Sequence, residues 1–146
     1  MMKKMLAFML VAVWAVQVAF ADDVVTKDSN KLPDAARVVL KKQFPNINIS
    51  YIKIDKELFQ TTYEAVLTSG VEVKFDSEGK WIEVDCKKAE VPVSFVLAPI
   101  KKYVQENFQN EPIVKIERER RGFTVELGNG LDLEFDKDGK ILRMDD

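Results

Sequence analysis

Two stretches of the chain alternate apolar and polar residues in nearly the same words. Val71, Val73 and Phe75 alternate with Glu72 and Lys74, and Leu131, Leu133 and Phe135 alternate with Asp132 and Glu134. A period of two marks strands with one apolar face. Upstream of each, the period changes to three and four. Leu32, Ala35, Ala36, Val39, Leu40 and Phe44 form one apolar stripe, and Ile100, Tyr103, Val104 and Phe108 form another. These predict two amphipathic helices. Pro33 suits a first helical turn and Pro45 ends the first helix. Pro99 opens the second, leaving Ser94–Leu97 as a separate turn.

The whole pattern is said twice. YEAVLTSGVEVKFDSEGKWIEVD (63–85) aligns with FTVELGNGLDLEFDKDGKILRMD (123–145) at an offset of 60. The offset drifts to 62 where YIKID (51–55) meets IVKIE (113–117), and to 64 where Phe44 meets Phe108. A difference in loop length between two copies of one unit gives that drift. Each unit therefore reads as a helix followed by four strands, near 50–55, 60–67, 71–76 and 81–86, then 112–118, 122–127, 131–136 and 140–145. The expected fold is α+β: two tandem helix-plus-four-strand repeats, about 32–86 and 93–146, in one antiparallel sheet of about eight strands with both helices on one face.

Asn129-Gly130 and Ser69-Gly70 are hairpin turn signals between these strands. Asp136-Lys137-Asp138-Gly139 resembles a fragment of a calcium loop. Such a loop needs six to eight oxygens and a Glu at its twelfth position, which here falls beyond Asp146. Asp76-Ser77-Glu78-Gly79 occupies the matching place, and both suit a turn that Asp starts and a positive-φ Gly closes. They read as hairpins, and no metal or other cofactor is expected.

The ends and the charge narrow the setting. Lys3 and Lys4, the apolar run Leu6–Phe20 and the box Ala19-Phe20-Ala21 compose a secretory signal peptide, residues 1–21, with cleavage after Ala21. The apolar run is short for a spanning helix of about 20 residues. Of 146 residues, loss of 21 leaves 125, a single domain over 22–146. Losing Lys3 and Lys4 leaves 20 basic residues against 24 acidic ones, a net charge of −4. The product is periplasmic or secreted, is not held in the membrane after cleavage, and is a poor nucleic-acid binder. Cys86 is the sole cysteine, so no internal disulfide forms and the thiol is either buried or open to a partner.

Catalysis has little to use. The chain has no histidine, and its serines lie at loops or strand ends without a base. Glu64 and Glu72 as cross-strand neighbours could divide their pKa values, but a flat sheet lacks a pocket for the reaction. A non-enzyme is expected.

The order helix, strand, Y-x-V-x-L, N-G and V-x-F-D-x-x-G-K, given twice behind a signal peptide, resembles the PepSY-like family of small exported proteins. Their fold is similar to that of the secreted β-lactamase inhibitor protein. The resemblance spans about residues 32–146 and implies a protein-binding or protease-inhibiting module that uses its open sheet face, with no catalytic residue set. Parity puts Glu64, Glu72, Lys74, Trp81 and Glu83 on that face from the first unit, and Glu134 and Arg143 from the second. Thr62, Asp85, Thr124, Glu126, Asp132, Ile141 and Asp145 share it, while Ile82, Val84 and Cys86 face the helices. Trp81 is either an exposed binding anchor or a cover for the sheet against the linker 87–92. The function expected is binding an envelope or secreted protein or peptide through that face. The alternatives are sensing of an envelope ligand and a structural role at the surface. Neighbouring genes and a pull-down with the mature protein separate these classes.

Overall fold

The computed structural model describes residues 23–145. The signal-peptide expectation, residues 1–21, lies outside them. The elements are β1 (Asp23–Thr26), α1 (Asp34–Gln43), β2 (Ile49–Lys56), β3 (Thr61–Leu67), β4 (Glu72–Phe75) and β5 (Trp81–Asp85). Then come α2 (Ala98–Asn107), β6 (Ile113–Glu119), β7 (Gly122–Leu127), β8 (Asp132–Asp136) and β9 (Ile141–Asp145). Short 3₁₀ turns at Ser29–Lys31 and Val93–Phe95 precede the two helices.

All nine strands form one antiparallel meander in chain order. The expected eight strands are present, and β1 is a ninth. It has four residues and no flanking periodicity, and it is a strand because its backbone pairs with the free edge of β2 from Asp23↔Asp55 to Thr26↔Ile52.

One line of register partners defines the core. Ile52, Ala65, Val73, Val84, Ile116, Val125 and Leu133 stand opposite one another across seven strands, and all are fully buried. Ala36, Leu40, Ile100 and Val104 of the helices join them in a single cluster. Both helices therefore cover the same face. Phe44 is buried there, and Phe108, Val39 and Tyr103 are partly buried against it. Ala35 departs from the expected stripe and is exposed, because it sits at the first turn, beside the β4–β5 hairpin instead of over the sheet.

The aspartate turns are hairpins. In each, the N–H of Asp76 or Asp136 donates to the carbonyl of Lys80 or Lys140, and its own carbonyl accepts the N–H of Gly79 or Gly139. The Asp76 carboxylate also accepts the N–H groups of Glu78 and Lys80, both at 2.9 Å, and Asp136 does the same for Asp138 and Lys140. Gly79 and Gly139 have φ of +88° and +87°, where L side chains are strained. A Cβ on either would also meet Pro33 or Pro99 at 2.9 Å, so each turn is tucked under the start of a helix.

A candidate binding face

The face away from the helices is a ladder of charges. Its longest line runs Val25, Lys53, Glu64, Lys74, Glu83, Glu117, Thr124, Glu134, Arg143, one residue from each of the nine strands. A second line runs Tyr51, Val66, Glu72, Asp85, Lys115, Glu126, Asp132, Asp145 from β2 to β9. The strands alternate, so every second side chain goes to this face, and the core line fixes which ones.

Six of the seven residues expected on the face are there: Glu64, Glu72, Lys74, Glu83, Glu134 and Arg143. Glu64 and Lys74 are directly opposite, as are Lys74 and Glu83 and, at the far side, Glu134 and Arg143. The Arg143 guanidinium donates to Glu134 at 2.6 Å. Glu64 and Glu72 are not cross-strand neighbours, since Glu64 faces Lys74 and Glu72 faces Val66. The carboxylate pair considered for acid–base chemistry is thus split by a lysine on one side.

Trp81 is the correction. Lys74 pairs with Glu83, but Phe75 pairs with Trp81, so β5 carries one extra residue at Ile82. Such a bulge reverses parity beyond it. The indole goes to the helix side, where it packs edge-on against Phe95 at 5.3 Å between ring centres. The Arg118 guanidinium covers it at 4.0 Å. Phe95 in turn stacks on Phe44 at 6.2 Å. β9 has the same bulge opposite Phe135, so Ile141 also packs on the core and Leu142 is left exposed. Trp81 is consequently not the anchor of the open face. Nor is Ile82 part of the core cluster, as continuous parity would have it.

The electrostatic centre of the face is the seam where β5 meets β6. Glu83 and Glu117 are direct cross-strand partners there, and Lys115 reaches Glu83 at 3.7 Å. Burial pushes the Glu117 carboxyl above its ordinary pKa, and Glu83 and Glu119 push it further. Burial alone would lower Lys115, but Glu83, Asp85, Glu117 and Glu126 outweigh it and hold the ammonium above its ordinary value. One ammonium therefore sits among four carboxylates. The sequence reading missed Lys53, Lys115 and Glu117 on the face. Lys115 and Glu117 flank buried Ile116, so alternation along β6 was the signal. Beside the seam, Lys87 is drawn up by its hydrogen bond to Glu72, with Asp85 adding to it, and lies 3.2 Å and 3.4 Å from those carboxylates. Cys86 is buried, and burial pushes its thiol up to about 11.

A nine-strand meander with both helices on one side and a charged ladder on the other is a scaffold with a free sheet face. The family described as "Putative beta-lactamase-inhibitor-like, PepSY-like" matches residues 61–143, and the chain belongs to it. Among solved structures, a "putative periplasmic protein of unknown function" from Bacteroides vulgatus is 45% identical, with a TM-score of 0.83 over 86% of this chain and 100% of that one. A second Bacteroides vulgatus periplasmic protein is 34% identical, with a TM-score of 0.81 over 86% of this chain and 98% of the other. A "putative calcium-regulated periplasmic protein" from Bacteroides thetaiotaomicron is 33% identical, with the same TM-score and the same shares. No curated protein matches. Among the described residues no helix is long and apolar enough to cross a membrane.

Proposed function

We propose that this chain is an exported, non-enzymatic binding module that holds a protein or peptide of the cell envelope on its open sheet face, in an inhibitor-like role. The carrying observation is that face itself: nine strands wide, uncovered by either helix, and lined with charges in register. Its centre carries an excess of carboxylates around Lys115, which suits a partner presenting basic side chains. The family's inhibitor-like description and the periplasmic relatives support the setting. The doubled order of a helix and four strands supports a duplicated unit, about 32–86 and 93–146, as the origin of so wide a face.

The test begins with a pull-down from envelope extract using the mature protein, residues 22–146. The recovered partner is then titrated calorimetrically at two salt concentrations. Glu83→Lys and Glu117→Lys should each weaken binding, mostly by slowing association, and should flatten its salt dependence. A partner whose affinity ignores both reversals, or retention of a small molecule in place of any protein, would move the assignment to ligand sensing.

A further inference from the structure

The β2–β3 turn carries the most exposed apolar side chains among the described residues. Leu58 is 88% exposed and Phe59 is 94% exposed. They are the two central residues of a tight hairpin, closed by Glu57 N–H to the Gln60 carbonyl at 2.8 Å and Gln60 N–H to the Glu57 carbonyl at 3.4 Å. Such turns favour Asn, Asp and Gly, so turn chemistry does not call for a Leu-Phe pair. Core packing does not call for it either.

Among the described residues the hairpin also stands clear of its neighbours. β4 pairs with β3 only as far as Tyr63, while β2 and β3 go on to pair at Asp55↔Thr62 and Lys56↔Thr61. That is about 7 Å of strand beyond β4, at roughly 3.4 Å per residue. On the other side the described part of β1 stops at the Asp55 rung. The matching hairpin in the second half turns at Arg120 and Arg121, and β8 accompanies it to Gly122↔Asp136. One tip is an apolar finger and the other is a flush, charged corner.

We infer that Leu58 and Phe59 form a pre-ordered apolar plug that enters an apolar pocket on the bound protein, beside the charged face. The inference rests on the protein-binding reading above and adds the partner's chemistry. A bilayer fits less well. Even a single myristoyl chain holds a protein on a membrane only marginally without a polybasic patch, and here Lys56 is matched by Glu57 and Asp55. A pocket also gains from the closed turn, because little conformational freedom is left to lose on binding.

The experiment places a photoreactive phenylalanine analogue at position 59, or at position 121 as the matching control, in the full chain expressed in its own envelope. A discrete protein adduct is expected from 59 and not from 121. That protein, purified, is then titrated with wild type, with Leu58→Ser/Phe59→Ser, and with the face variant Glu83→Lys. The tip variant should keep the wild-type melting temperature and lose at least about 30-fold in affinity, the hot-spot threshold. No adduct, an adduct to lipid, an adduct to a second copy of this chain, or an affinity untouched by the tip variant overturns the plug. Loss in the face variant with none in the tip variant removes the plug and leaves the face. The reverse result removes the face and leaves the plug.

Discussion

The hairpins β4–β5 and β8–β9 are closed by the same atoms, yet they end in different surroundings. Each turn has an Asp carboxylate on two N–H groups, a positive-φ glycine under a helix start, and a bulge one residue into the following strand. Beyond the turn they diverge. Val84, opposite Val73, is fully buried, while its counterpart Met144, opposite Leu133, is 53% exposed. Trp81 lies beneath Phe95 and Arg118, whereas β9 is the edge of the sheet and Leu142 and Met144 face water. Local sequence determines the hairpin. The next strand and the linker determine what it buries.

Ways to break that comparison run from the helices outward. Phe44→Ala should cost about 3–5 kcal/mol, as for other buried phenylalanines. Phe108→Ala should cost less, because Phe108 is only partly buried and meets Tyr103 of its own helix where Phe44 stacks on Phe95 of the linker. Urea unfolding of both variants checks the order, and equal losses would show that the linker adds nothing. Trp81→Ala should cost about 2 kcal/mol or more, since the indole fills space between Phe95 and the sheet. Ile141→Ala should cost less. A Trp81→Ala protein of native stability would return the indole to the open face.

The turn glycines sharpen the similarity. Gly70→Ala and Gly130→Ala have open space and should lose only the cost of a left-handed backbone, about 1–2 kcal/mol. Gly79→Ala and Gly139→Ala add a collision with a proline at 2.9 Å and should lose more, by similar amounts in the two halves. Thermal melts of the four variants decide this.

Smaller effects belong to the open face. Glu117 binds its proton more tightly folded than unfolded, so its ionisation works against the fold above the raised pKa, and that loss is relieved as the pH falls through it. Glu117→Gln should therefore raise stability at pH 7 by less than about 1 kcal/mol, given solvent screening. The advantage should vanish below the ordinary carboxylate range. Calcium should leave the melting temperature unchanged, because the Asp76 and Asp136 carboxylates already serve their own turns. A rise on adding calcium would break the hairpin reading.

Much of this was legible in the sequence because most contacts that matter are close along the chain. The alternation at Val71–Phe75 and Leu131–Phe135 and the spacing from Leu32 to Phe44 report burial directly. Parity puts Trp81 on the wrong face because an extra residue opposite Phe75 leaves no mark in a period-two pattern. β1 escaped because its reason for being a strand lies in the edge of β2, distant in sequence. Lys115 and Glu117 were legible by parity, but their meeting with Glu83 required knowing that β5 and β6 are neighbours. Leu58 and Phe59 stood in plain view. Nothing in alternation distinguishes an apolar turn from a strand end.

The seam between β5 and β6 also bears on how quickly the protein forms. Most strand pairs close over tight turns, whereas β5 finds β6 only after the linker and α2 have been traversed. Closing a longer loop costs more entropy, so local hairpins zip first and distant pairings follow. Glu83 and Glu117 make this late rung repulsive as well. Contacts absent from the rate-limiting barrier alter unfolding more than folding. Relieving the repulsion with Glu117→Gln should therefore slow the opening of the sheet down its middle and leave its assembly rate nearly unchanged.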